Sequence, residues 1–261
     1  MRPRTVVLIH GMFMSPLCWE GWVQRFEAAG RTVIAPAWPL HDGDPATLRA
    51  HHPDPELGRL GFDDVVHAMR DAVEALGEVP VLIGHSMGGL VVQILLEQGI
   101  GDAGAVIDSA PPEGVLTTAP SSLKANWPML SPLEDTDEPH LITKEEFAYA
   151  FANTLSAEEQ EAAWERYVVP ESRRVPRDSV GHAGRVDGRA PHPPLLFVAG
   201  GQDHIIPAAL NKHNFHHYPV GDSVTEFIEF PKRDHLTILE HGWEAVADYT
   251  LAWLDEYAGV V

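Results

Sequence analysis

The sequence predicts an α/β fold: a mainly parallel six-stranded sheet with helices on both faces and a helical cap. Short runs rich in Val, Ile and Leu alternate with stretches of helical period along most of the chain. The runs are continuously apolar, as strands buried on both faces require. One long segment, residues 111–190, breaks the alternation and contributes no strand.

TVVLIH (5–10) reads as the first strand, followed by a Gly-containing loop and a helix over about Pro16–Ala28. RTVIAP (31–36) is the second strand. Residues 41–60 carry Pro, Gly and His without a clear period and are expected to be loop. In 62–76, Phe62, Val65, Val66, Met69, Val73 and Leu76 share one helical face, and glycines at 61 and 77 mark its ends. PVLIG (80–84), GAVIDS (104–109), PPLLFVAG (193–200) and SVTEFIEF (223–230) complete the six strands. A last helix over about 242–257 faces inward through Trp243, Val246, Thr250, Trp253, Leu254 and Tyr257. The interrupting segment holds helical stretches near 143–153 and 156–167 between Pro-rich linkers. The expected organisation is a core of 1–110 and 191–261 with a cap of 111–190. Its site falls at the carboxyl ends of the strands.

Composition narrows the function. A net charge of −20 argues against nucleic acid and anionic membranes, and points to neutral or cationic ligands. Cys18 is the only cysteine, so an internal disulfide or a thiolate metal cluster is excluded, and it is expected to be buried and inert. The N-terminal MRPRTVVLIHG has an apolar run too short for a signal-peptide core. No stretch reaches membrane-spanning length. The expectation is a cytoplasmic protein without stable membrane insertion, and a homodimer stays open.

The chemistry centres on PVLIGHSMGGL (80–90), an apolar strand ending in G-x-S-x-G and running into an apolar helix. Gly84 and Gly88 remove Cβ atoms that would clash in a sharp strand-to-helix turn carrying Ser86 as nucleophile. The following helix aims its N-terminal N–H groups at the same spot. A serine hydroxyl needs a base, and the base an orienting acid. FIEFPKRDHLTILE supplies His235 after the last strand, and PLLFVAGGQDHIIP supplies Asp203 in a turn after a strong strand. The 32 residues between them fit one helix and one strand, returning both to one sheet edge. Asp108, ending the fourth strand, is the rival acid.

Two oxyanion donors are expected: the N–H of Met87, after the nucleophile, and that of Met12 in the HGMF loop (10–13). His10 is then expected to orient that loop. Met14 fits either pocket or core. Phe13, Trp127, Phe147, Phe151 and Trp164 are the candidate pocket residues, supplying apolar bulk to a hydrophobic substrate. Asp234 is expected to point away from the site, His204 to be a loop residue, and His51 and His52 to be exposed. His213, His216 and His217 read as a solvated helix face rather than a metal cluster, and no metal site is predicted.

The HG loop at 10–11, GHSMGG at 84–89, the Asp203 turn and His235 together resemble the α/β-hydrolase superfamily over nearly the whole chain. Within it the chain is similar to the compact, cofactor-free esterase, lipase and lysophospholipase-like group. It departs from the full eight-stranded pattern by starting at the strand before the HG loop, so the first two strands are expected to be absent. The resemblance implies a serine hydrolase with a helical cap and no cofactor. The leading expectation is hydrolysis of a carboxylic ester or lactone of a hydrophobic small molecule. Carbon–carbon bond hydrolysis, lyase or perhydrolase chemistry on the same triad stays open, as does a non-catalytic ligand-binding protein.

Overall fold

The computed structural model describes residues 5–219, 221 and 223–258, so Met1–Arg4 of the N-terminal stretch lie outside the described residues. Along the chain run β1 (Val6–Ile9), α1 (Glu20–Ala28), β2 (Val33–Ile34), α2 (Pro45–Ala50), α3 (Pro55–Arg59), α4 (Phe62–Glu74), β3 (Val81–His85), α5 (Met87–Glu97) and β4 (Ala103–Ile107). Then come α6 (Pro120–Leu130), α7 (Lys144–Ala150), α8 (Ala157–Tyr167) and α9 (Arg174–Ser179), followed by β5 (Leu195–Gly200), α10 (Ala208–Phe215), β6 (Thr225–Phe230) and α11 (Trp243–Tyr257). A 3₁₀ turn, Pro16–Trp19, leads into α1.

Six parallel strands form one sheet in the order β2-β1-β3-β4-β5-β6. Successive side chains along each strand feed opposite faces. Val6 and Leu8 join Trp19, Trp22 and Phe26 of the α1 side and Trp253 of α11 in one apolar layer. Val7 and Ile9 join Phe62, Val65 and Met69 of α4 and Leu90 of α5 in the other. This double burial is why the strands read as unbroken apolar runs. The chain passes from β1 outward to β2, then returns past β1 to β3. The sheet order therefore reverses between β1 and β3, which opens a crevice at their carboxyl ends.

Residues 41–60 differ from the expected loop, because they hold α2 and α3. Each begins with an Asp-Pro pair: Asp44 accepts from the Thr47 N–H and Asp54 from the Glu56 N–H, while the proline occupies a first-turn position that needs no donor. His51 is exposed as expected, but His52 is half-buried. Between β4 and β5 the insertion has α6 and α9 in addition to the two foreseen helices. Among the described residues no helix is long and apolar enough to cross a membrane.

Phe197 of β5 is fully buried against Phe215 and Tyr218. Phe197→Ala is expected to cost about 3–5 kcal/mol. A urea midpoint lowered at unchanged m-value would report it.

Candidate active site

Strand β3 ends at His85, and the chain turns at Ser86 with φ 55° and ψ −123° before α5 begins at Met87. A non-glycine residue costs about 1–3 kcal/mol in such a conformation and persists only where its neighbours impose it. Here the Ser86 N–H donates to the Ile107 carbonyl at 2.9 Å, and its own carbonyl accepts from the Gly89 and Ala110 N–H groups, each at 2.9 Å. The turn also lies hard against β1. A Cβ at Gly84 would stand 2.2 Å from the Gly88 carbonyl oxygen, and one at Gly88 would stand 2.3 Å from that of Ile9. Met87 is the first residue of α5, so its N–H has no partner within the helix, and the residue lines the same crevice as Ser86. Met12 lines that crevice from the β1 side.

The loop after β6 brings His235 to Ser86. His235 Nε2 lies 2.9 Å from Ser86 Oγ, and Nδ1 lies 2.6 Å from Asp203 Oδ2. All three residues are buried. Burial raises the Asp203 carboxyl above the usual carboxylate range, while the N–H groups of Ile206 and Ile205 oppose this by donating to Oδ1 at 2.9 and 2.7 Å. With His235 Nδ1–H, three donors thus converge on the two Asp203 oxygens. Burial likewise lowers His235 to about 3, with Asp234 acting weakly the other way, so the ring is neutral near neutral pH.

Neighbouring polar groups fix this ring. The His85 side chain donates from Nε2 to the His235 carbonyl at 2.8 Å, and Phe151 packs edge-on to the imidazole at 5.1 Å. Asp234 points away as expected: its carboxylate accepts from the Leu236 N–H and from the N–H and hydroxyl of Thr154. Asp108, the rival acid, instead accepts from the Gly200 N–H at 2.6 Å and ties β4 to β5. Burial and nearby Asp203 push its carboxyl well up. His10 donates from Nδ1 to the Gly11 carbonyl and accepts the Trp38 N–H at Nε2, so it holds the loop after β1. Burial lowers it to about 3. His204 is a loop residue, bonded to the Tyr149 carbonyl. Burial pushes the Cys18 thiol up, which leaves it an unreactive core group. Met14 is buried in the core.

Ser86, Met12 and Met87 open into a cavity of about 380 Å³ walled by the insertion. Phe13, Trp127 and Phe151 line it as expected, together with Met129 and with His140 and Ile142, the last two of which the sequence did not single out. Phe147 and Trp164 correct the pocket expectation. Phe147 is fully buried behind Phe151, stacked on it at 5.2 Å. Trp164 sits outside the cavity, donating to the Ile142 carbonyl beneath the Arg49 and Lys144 cations. Both lie on helices whose apolar faces seat the insertion on the core rather than the ligand. His213, His216 and His217 line a separate surface groove with Arg185 and Arg189, which meets the Ser86 cavity only at Gly114 and Val115. His85, Asp108 and His235 place ligand-type atoms within 4.8 Å of one another, but each already has the protein partner described above.

The doubly covered parallel sheet and the serine on a left-handed turn at a strand's carboxyl end define the class of protein. The chain belongs to the alpha/beta hydrolase family, whose sequence pattern matches residues 6–249. It is 33% identical over 95 residues to "Esterase PIR7B" of Oryza sativa subsp. japonica, a stretch spanning 35% of this chain and about a third (32%) of that relative. Among solved structures it is similar to polyneuridine aldehyde esterase (TM-score 0.70, 18% identity, covering 96% of this chain and 99% of that one). It is also similar to an extracellular alpha/beta-hydrolase from a Paenibacillus species (TM-score 0.72, 20% identity, covering 99% and 100%). These likenesses show the common fold.

Two outcomes are expected from labelling with a fluorophosphonate. Gly88→Ala should slow labelling of Ser86 on the order of 100-fold by displacing the turn. Because burial keeps His235 unprotonated far below its ordinary value of 6.5, the wild-type labelling rate should hold from about pH 7 to about pH 5. A rate halving near pH 6.5 would show an ordinary, solvated imidazole instead.

Proposed function

We propose that this protein is a serine hydrolase that cleaves a carboxylic ester or lactone of a hydrophobic small molecule through an acyl-enzyme on Ser86. One observation carries the reading. An unbroken hydrogen-bonded line from Asp203 through His235 to Ser86 ends at the floor of a mainly apolar cavity. Membership of the alpha/beta hydrolase family and the esterase relatives support ester hydrolysis as the reaction class.

In this reading the neutral His235 Nε2 takes the proton of Ser86 Oγ as the oxygen attacks the ester carbonyl carbon. Asp203 holds the Nδ1 proton and stabilises the imidazolium that forms. The carbonyl oxygen becomes an oxyanion between the N–H groups of Met12 and Met87, at the positive end of α5. Collapse breaks the carbon–oxygen bond, and the leaving alkoxide takes the proton from Nε2. Water then repeats the sequence on the acyl-enzyme and returns the hydroxyl to Ser86. The insertion acts as a cap over the acyl or alkoxy group. Its Leu116, Leu123 and Trp127 line the cavity and remain exposed, so the apolar wall continues to its mouth.

Hydrolysis of p-nitrophenyl butyrate tests this directly. Ser86→Ala should lower kcat on the order of 10⁴-fold or more, and a variant retaining full activity would sink the assignment. The apolar wall predicts kcat/KM for the butyrate about tenfold above that for the acetate. Equal values would place the acyl group outside this cavity.

A further inference from the structure

A second buried network lies behind the oxyanion side of the site, and none of the steps above uses it. Phe13, next to Met12, has φ 61°, a strained value for an aromatic residue. The insertion grips it at both peptide groups. The Val169 N–H donates to the Phe13 carbonyl at 3.0 Å, and the Phe13 N–H donates to Glu171 Oε2 at 3.4 Å. Glu171 is fully buried, and its other oxygen accepts the Ser172 N–H at 2.7 Å.

The partner of this buried carboxylate is His41, from the segment after β2. His41 Nε2 lies 3.1 Å from Glu171 Oε2, and Nδ1 lies 2.9 Å from the Pro39 carbonyl oxygen. An imidazolium donates from both ring nitrogens and so satisfies the Glu171 carboxylate and the Pro39 carbonyl together, where a neutral ring donates to only one of them. Burial acts to lower the His41 pKa, but the Glu171 charge and the bonds to Glu171 and Pro39 outweigh it and leave the value above 6.5. The other titratable groups packed around the pair fit this charge state. His10, whose ring is 5.6 Å away, is held neutral by burial and by His41 itself. His140, bridged to Glu171 through the backbone, turns its ring to Glu146 and Arg173. The Arg173 guanidinium is occupied by the carbonyls of Pro128 and Glu138.

We propose that Glu171 and the imidazolium of His41 are positioning residues that clamp the strained Phe13 peptide to the insertion and so hold the adjoining Met12 N–H in oxyanion-binding geometry. This rests on the ester-hydrolase reading. The site is then complete only when the insertion is seated and His41 carries its proton. The sign follows from the raised value: the clamp is intact below it and loosens as the pH rises through it. Hydrolysis acquires a basic limb above pH 6.5, in addition to the acid limb set by His235.

The test combines kinetics with a direct reading of the ring. In p-nitrophenyl butyrate hydrolysis, Glu171→Gln should lower kcat about tenfold with KM within about twofold, because the lost stabilisation belongs to the transition state. It should also move the basic limb to lower pH, since His41 loses its counter-charge. An E171Q enzyme matching wild type in kcat and limb overturns the proposal. Nitrogen-15 NMR of the wild type, which needs no variant to fold, should show both His41 ring nitrogens protonated at pH 6.5, with the Phe13 amide shifting as the ring titrates. A neutral ring tautomer there, or a Phe13 amide indifferent to the titration, also overturns it. A wild type that fails to hydrolyse the ester while its ring and amide titrate together refutes the ester-hydrolase reading and leaves the clamp standing.

Discussion

The close approach of the β3–α5 turn to the end of β1 is the contact on which the site depends. Gly84 and Gly88 let the backbone of this turn meet its own first helical residues and the last residues of β1 at distances no side chain allows. That contact places Ser86 and Met87 in one cavity with Met12 and Phe13 of the HGMF loop, at the point where the sheet order reverses. The left-handed Ser86 is sustained by three backbone hydrogen bonds, two of which tie it to the end of β4 and the residues after it. The sheet's register thereby sets the geometry around Ser86.

Around this contact the protein buries an unusual density of polar groups, and the strand-end loops owe their shape to them. Asp203 organises its own turn through the Ile205 and Ile206 N–H groups before it reaches His235. Asp234 does the same for the next loop and fastens it to Thr154 of the insertion. Asp108 joins β4 to β5. Asp203 and Asp234 each take several donors, the condition under which such a group is tolerated away from water. The acids of this region thus divide their work: Asp203 bonds the His235 ring, and the others hold the strand-end loops around it.

The insertion supplies more than a wall for the cavity. Phe151 touches the His235 ring, Thr154 anchors the loop carrying that ring, and Val169 with Glu171 grips the loop after β1. Folding of the core and seating of the insertion are consequently coupled around Ser86 and His235. Phe147 and Trp164 illustrate the cost of reading aromatics by position alone. Both serve that seating, and only the residues one layer nearer the strand ends meet the cavity.

The amino-acid sequence by itself determined the parallel α/β architecture, the strand positions, and Ser86 and His235 with Asp203 or Asp108 as their acid. All of these are written in local signals: unbroken apolar runs, glycines at fixed offsets, and acid and base placed just after strands. Some local signals were legible but passed over, notably the Asp-Pro starts of α2 and α3 within residues 41–60. The tertiary structure alone decided between Asp203 and Asp108, because both end a strand and only the distance to His235 Nδ1 separates them. It alone joined His41 to Glu171, 130 residues apart in the chain. Such pairings have no periodicity and no motif. They arise where two loops must satisfy each other's buried polar atoms, and that requirement exists only once the chain has closed around them.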